Sequence, residues 1–154
     1  MKVEAVLTVN GVAYPVELDP ATSLLAAVRD EIGLTGSKEG CDDSECGACM
    51  MLLDGAPVNA CCYLALQAEG SEVTTVEGLA AGAELAPLQA AFLEHGGVQC
   101  GFCTPGMLVS ATALLATNPA PSEEEVRIGL SGNLCRCTGY DGIVKAVLAV
   151  AAGG

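Results

Sequence analysis

The chain has few of the residues that many functional classes need. Its 154 residues include no tryptophan, one histidine, and only six lysines and arginines against nineteen acidic residues. The resulting formal net charge of −13 excludes a protein that binds nucleic acid or an anionic membrane surface through a basic face. The single histidine excludes most catalysis based on histidine, and the chain lacks a Ser-His-Asp set, a Walker loop and a GxGxxG motif.

Long apolar runs are also missing. The longest, "MLVSATALLAT" and "IVKAVLAV", are shorter than the roughly 18–20 residues that a membrane-spanning helix requires. The start, "MKVEAVLTVNG", alternates as a strand does and lacks the apolar segment of a signal peptide. We therefore expect a cytoplasmic protein without a membrane span.

Cysteine, by contrast, is abundant. Nine cysteines occur, an odd number, and several are separated by only one, two or four residues. Such clusters fit a secreted disulfide framework poorly, and in a reducing compartment they favour metal binding. The cysteines are therefore the main candidates for functional residues in this chain, as metal ligands.

The first half reads as a mixed α+β unit over residues 1–77. Apolar residues alternate over 3–9 and 12–18 on either side of Asn10-Gly11, which is a strong hairpin signal. A helix is predicted over "TSLLAAVRDEIG", with Thr22 or Ser23 as its N-cap. A second hairpin around Asp54-Gly55 and a short strand in "EVTTVEG" complete five strands and one helix.

The second half, residues 78–154, carries helical signals only. Four helices are predicted, over "LAPLQAAFLEH", "PGMLVSATALLATN", "SEEEVRIGL" and "GIVKAVLAVAA". Ser122 and Glu125 have the spacing of a capping box at the start of the third. The pattern predicts a small four-helix bundle domain.

The cysteines of the first half have the spacing of a plant-type ferredoxin. Cys41, Cys46 and Cys49 form the C-x4-C-x2-C frame that wraps a loop around a 2Fe–2S cluster. The end of the second hairpin supplies the fourth thiolate, and spacing alone does not choose between Cys61 and Cys62. A tetrahedral zinc site is the alternative, although zinc sites more often begin with C-x2-C.

The second half has its own group, with Cys100 and Cys103 in one segment and Cys135 and Cys137 in another. Both segments precede predicted helices, and a helix N-terminus lowers a thiolate pKa and stabilises an anionic centre. Facing each other, the two segments would form a four-thiolate cage. Zinc remains an alternative metal for this group. Thioredoxin-like chemistry fits less well, because no βαβ unit is predicted around Cys100.

With both groups in view, the chain resembles the small iron–sulfur subunit of the molybdenum hydroxylases, the xanthine oxidase family. The resemblance rests on "LTGSKEGCDDSECGACMMLLDGAPVNAC", "VQCGFCTPGM" and "SGNLCRCTGY" and extends over nearly the full length. It implies an N-terminal β-grasp ferredoxin-like domain over 1–77 and a C-terminal four-helix domain over 78–154. It also implies one 2Fe–2S cluster in each domain.

The resemblance further implies residue roles and partners. Cys61 would be the fourth ligand of the first cluster, and Cys62 a spare thiol. Gln99 and Cys137 would contact the pterin of a molybdenum cofactor, although without the resemblance Gln99 reads more simply as a cap of the following helix. The partners would be a large molybdopterin-binding subunit and a medium FAD-binding subunit, in a dimer of heterotrimers.

The predicted function is electron transfer between the molybdenum cofactor and flavin, with no catalytic residue on this chain. Two other functions remain open from the sequence. One is a free-standing electron shuttle with two clusters, and the other is an interaction module that is stabilised by zinc and has no redox activity. The residues that specify the substrate would lie on the large subunit, so this sequence does not name the substrate.

Overall fold

The computed structural model describes residues 1–153 and combines one five-stranded sheet with five α-helices. The strands are β1 (Val3–Val9), β2 (Val12–Leu18), β3 (Met50–Leu53), β4 (Ala56–Asn59) and β5 (Glu72–Thr74). The helices are α1 (Leu24–Ala26), α2 (Pro87–Glu94), α3 (Thr104–Thr117), α4 (Glu123–Gly129) and α5 (Asp141–Gly153). The predicted α+β class is confirmed.

The sheet has the order β2-β1-β5-β3-β4, with β1 and β5 parallel and the other neighbours antiparallel. Both predicted hairpins form, and each closes with two residues in the left-handed region. The φ angles are 52° and 76° at Asn10 and Gly11, and 50° and 82° at Asp54 and Gly55. Two positive φ angles match the right-handed twist of the strands, which is why these dipeptides close tight hairpins.

The helix predicted in the first half starts where expected but is wound differently. The Ser23 hydroxyl accepts a hydrogen bond from the Ala26 amide at 3.1 Å, so Ser23 rather than Thr22 is the N-cap. Beyond α1 the chain continues as a π-helical turn over Ala27–Glu31, in which the Ile32 amide donates to the Ala27 carbonyl. The wider turn ends at Glu31, and Gly33, whose φ is 85°, follows the C-cap residue Ile32.

Four helices form in the second half at the predicted places. The Ser122 and Glu125 capping box is present, with each side chain bonded to the other residue's backbone amide. Helix α5 packs against α2 and α4, and α3 packs against α4. Their shared core contains Phe92, Met107, Val126 and Ile143, all essentially inaccessible to solvent.

The two halves pack together through β3 and α3. Met51 lies in the core beneath the sheet, whereas Met50 and Leu52 pack against Val109 and Ala113 of α3. Strand β3 is therefore covered on both faces, which explains why "MMLL" is continuously apolar rather than alternating. Among the described residues, no helix is long and apolar enough to cross a membrane.

Candidate metal centre

The first group of cysteines lies on the loop that leads into β3. Two backbone amides point at sulfur atoms: that of Cys46 at 3.4 Å from Cys41 Sγ, and that of Ala48 at 3.5 Å from Cys46 Sγ. Positive φ angles at Asp42, Ser44 and Gly47 turn the loop back on itself. The loop thus surrounds its sulfurs with N–H donors, as an anionic iron–sulfur centre requires.

Gly40 provides room for this arrangement. A Cβ atom at that position would lie 2.9 Å from Cys46 Sγ, closer than carbon and sulfur tolerate. A side chain there would displace the sulfur, so the close approach of backbone to thiol depends on glycine.

The fourth cysteine of the group follows β4. Cys61 is only 7% exposed, and its thiol interacts with that of Cys49, which is also buried. Burial raises the pKa of Cys61 to about 12, with the neighbouring Cys49 thiol adding to the shift. Cys62 is exposed, and its Sγ lies 3.9 Å from the Asp42 carbonyl oxygen.

The second group joins two separate segments. Cys103 is the N-cap residue of α3, and its thiol interacts with that of Cys135, from the loop between α4 and α5. The Cys100 thiol interacts in the same way with that of Cys137. The predicted convergence of these two segments is therefore present.

The loop between α4 and α5 holds Cys135 through its own polar groups. The Thr138 hydroxyl and amide lie 3.0 and 3.4 Å from Cys135 Sγ. The Cys135 amide donates to the Tyr140 hydroxyl at 2.8 Å. Burial acts to raise the pKa of Cys135, but hydrogen bonds from Thr138, the Cys103 thiol and the Cys137 amide together outweigh it and leave that pKa lowered.

Cys103 does not follow the expectation that a helix start lowers the thiol pKa. Burial raises its pKa to about 12, and the Cys135 thiol adds to the shift. The expectation is wrong for this residue because the cost of placing a charge in an apolar environment exceeds the benefit of the helix terminus.

Both groups divide into pairs of interacting thiols. Hydrogen-bond contacts pair Cys41 with Cys46, Cys49 with Cys61, Cys100 with Cys137, and Cys103 with Cys135. Charge interactions also link the two pairs of each group, and Cys61 contacts Cys62 as well. Within residues 1–153 no three cysteine, histidine or acidic side chains converge closely enough to hold a single metal ion. Two pairs per group fit the donor set of a 2Fe–2S cluster, in which each iron takes two thiolates, better than one tetrahedral zinc.

The two groups are joined by direct contacts that the sequence did not indicate. The Leu134 amide, next to Cys135, donates to the Cys46 carbonyl at 2.9 Å. The Asn133 side-chain amide donates to the Gly47 carbonyl at 3.1 Å. A Cβ atom at Gly47 would overlap the Gly132 carbonyl oxygen. No spacing rule links these residues, because 86 positions separate Gly47 from Asn133.

Gln99 lies on the surface beside Cys100, and both are exposed. Helix α3 begins at Thr104, and its N-cap is Cys103, so Gln99 does not cap that helix. Cys137 is exposed as well, and its contact with Cys100 brings it near Gln99. The predicted pterin-contacting residues therefore share one exposed region of the surface.

Comparison with known proteins identifies both halves. Residues 7–80 match the model of the 2Fe-2S iron-sulfur cluster binding domain, and residues 75–148 match that of the [2Fe-2S] binding domain. The nicotinate dehydrogenase small FeS subunit of Eubacterium barkeri is 49% identical over 146 residues, covering 95% of this chain and 93% of the relative. The xanthine dehydrogenase iron-sulfur-binding subunit of Escherichia coli is 47% identical, covering 92% and 89%.

Among solved structures, quinoline 2-oxidoreductase from Pseudomonas putida contains a similar chain. That chain superposes with a TM-score of 0.95 at 49% sequence identity, covering 99% of this chain and 95% of the other. The chain belongs to the small iron–sulfur subunits of the molybdenum hydroxylase family.

Proposed function

We propose that this chain is the electron-transfer subunit of a molybdenum-containing oxidoreductase complex. It carries electrons between a molybdenum cofactor and FAD on partner subunits. The first cluster is held by Cys41, Cys46, Cys49 and Cys61, and the second by Cys100, Cys103, Cys135 and Cys137. The observation that carries this proposal is the arrangement of eight thiols into two groups of two pairs.

When bound, a 2Fe–2S cluster accepts and releases a single electron. The chain's own residues prepare the sites for it. Cys61 is buried and Cys103 is half-buried, and desolvation raises the pKa of each thiol to about 12. Both thiols therefore hold their protons at neutral pH, and iron binding must release those protons. The amides of Cys46, Ala48 and Thr138 then donate to sulfur and compensate the negative charge.

The two halves act as separate cluster-binding domains in this proposal. Residues 1–77 form the ferredoxin-like domain, and residues 78–154 form a four-helix bundle around the second site. Each half has its own buried core, which supports the division. Nine free thiols suit a reducing compartment, so we place the protein in the cytoplasm.

The surface around Gln99 and Cys137 is the proposed contact with the large molybdopterin-binding subunit. Phe102 and Leu134 lie beside these residues in the sequence and are 47% and 56% exposed, which is unusual for large apolar side chains. Gln99 supplies a donor and acceptors for the edge of a pterin. A medium FAD-binding subunit and a dimer of heterotrimers complete the proposed assembly.

We expect two distinct 2Fe–2S centres and about four irons per chain, because each cluster takes four of the eight proposed cysteine ligands. The two sites differ in their surroundings: one is a strand-rich loop and the other a pair of segments preceding helices. Dithionite-reduced protein should therefore give two EPR signals with different relaxation. One signal with about two irons per chain would contradict the assignment, and a colourless protein containing zinc would support the interaction module instead.

A free-standing shuttle is the remaining alternative function. It predicts that the chain elutes alone from a sizing column when purified under native conditions from its source. The proposed subunit role predicts co-elution with chains that contain molybdenum cofactor and FAD.

Replacing Gln99 by alanine should separate the partner contact from cluster binding. Gln99 is exposed and is not the cap of α3, so iron content and both EPR signals should stay as in the wild type. Loss of its hydrogen bonds should slow reduction of the nearer cluster by substrate, or lower molybdenum occupancy, in the purified complex. Wild-type reduction with full molybdenum would show that Gln99 has no part in the contact.

A further inference from the structure

The two cysteine groups meet at a small region where backbone packs closely against backbone. Gly47, Gly106 and Gly132 lie together there, and a Cβ atom on Gly106 would overlap the Gly47 carbonyl oxygen. A Cβ on Gly47 would also lie 2.7 Å from Asn133 Nδ2. The side chain of Asn133, which is 3% exposed, bridges the two loops at this point.

A path of covalent bonds and one hydrogen bond connects ligand residues of the two groups through this contact. The Cys46 carbonyl belongs to a proposed ligand of the first cluster, and the Leu134 amide adjoins Cys135, a proposed ligand of the second. A single hydrogen bond of 2.9 Å joins them. Along the chain itself even the nearest ligands of the two groups, Cys61 and Cys100, are separated by dozens of residues.

We propose that Asn133 is a positioning residue for electron transfer between the two centres. Its amide holds the Gly47 carbonyl, and this contact keeps the adjacent Leu134 N–H on the Cys46 carbonyl. This inference rests on the proposed function. In the step that it serves, one centre loses one electron and the other gains it, while no covalent bond changes and no proton moves.

Two features suit Asn133 to this role. Its hydrogen bond is buried, where low dielectric strengthens the interaction and excludes competing water. The Gly47 carbonyl also accepts from the Met50 amide at 3.2 Å, so loss of Asn133 does not leave that carbonyl without a partner. Removal of the side chain should therefore loosen the contact between the two loops and leave the fold and both cysteine sites in place.

The test uses the full chain with both clusters, reduced by dithionite without substrate. Magnetic interaction between two reduced centres splits their EPR signals, and it weakens with the cube of their separation. We expect Asn133→Leu to reduce the splitting and slow the redistribution of an electron injected by a pulse, at unchanged iron content. Asn133→Asp, which keeps the shape but removes the donor, should do the same.

Asn118→Leu is the matched control. Its side-chain oxygen accepts only from the nearby Ala120 amide, and it caps the end of α3 opposite Cys103. This variant should retain the wild-type splitting and rate. Asn118 is partly exposed, so this variant tests an asparagine replacement outside the contact, and Asn133→Asp controls for the size of the buried side chain.

Gly106→Ala tests the same contact from the other side with Asn133 intact, and it too should reduce the splitting. The splitting arises only in molecules that hold both centres, so partial loss of iron in a variant does not obscure it. Wild-type splitting and rate in the Asn133 variants would overturn this inference. Two distinct signals without any splitting in the wild type would also overturn it, whereas one signal with about two irons per chain would instead overturn the proposed function.

Discussion

Cys61→Ser should lower the bound iron from about four atoms per chain to about two, whereas Cys62→Ser should retain all of it. The two cysteines are neighbours, yet they lie in different environments. Cys61 is buried and its thiol faces that of Cys49, while Cys62 is exposed. The buried position beside Cys49 therefore makes Cys61, and not the exposed Cys62, the expected fourth ligand of the first site.

Iron analysis and EPR of the two variants provide the measurement. Cys61→Ser should lose the signal of the first centre and keep that of the second, which depends on cysteines in another part of the chain. Cys62→Ser serves as the matched control, because it removes one thiol at the adjacent position. The 3.7 Å between the two sulfurs makes ligand exchange conceivable, and a Cys61 variant with full iron would show that Cys62 replaces it.

Gly47→Ala should destabilise the protein more than any other glycine-to-alanine change at a turn. The φ of Gly47 is 71°, and an L-residue in that region costs about 1–2 kcal/mol. Its Cβ would also overlap the backbone carbonyl oxygen of Gly132, and overpacking of this kind costs about 1–3 kcal/mol more. The second cost arises because a backbone atom cannot move aside as a flexible side chain can.

Gly55→Ala separates the two costs. Gly55 has a φ of 82°, but a Cβ there would meet nothing within 4 Å. It should therefore show the conformational cost alone, with each kcal/mol lowering the melting temperature by roughly 2–4 °C in a protein of this size. Equal melting temperatures for the two variants would show that the loops of the two halves are not packed as described.

The elements that could be predicted from the sequence depend on residues close together in the chain. The hairpins follow from the Asn10-Gly11 and Asp54-Gly55 dipeptides, because the φ angles of a tight turn are a local property. The start of α4 follows from Ser122 and Glu125, three positions apart. The C-x4-C-x2-C frame likewise predicts one loop around one centre.

Departures from the sequence prediction arise where packing changes a local preference. The helix after Ser23 was predicted as one regular segment, but most of it is a π-helical turn. Cys103 was expected to have a lowered pKa at the start of α3, and burial raises it instead. Neither the burial of a side chain nor the winding of a helix against a sheet can be read from a short window of residues.

By itself the sequence determined the α+β class, the places of the hairpins and helices, and the residue types of both metal sites. The tertiary structure decided which thiols face each other, that Cys61 rather than Cys62 is buried beside Cys49, and that Asn133 joins the two loops. The physical reason is the range of the forces involved. Turns, caps and ligand spacing depend on backbone angles within a few residues, whereas burial and contact between loops depend on segments that only folding brings together.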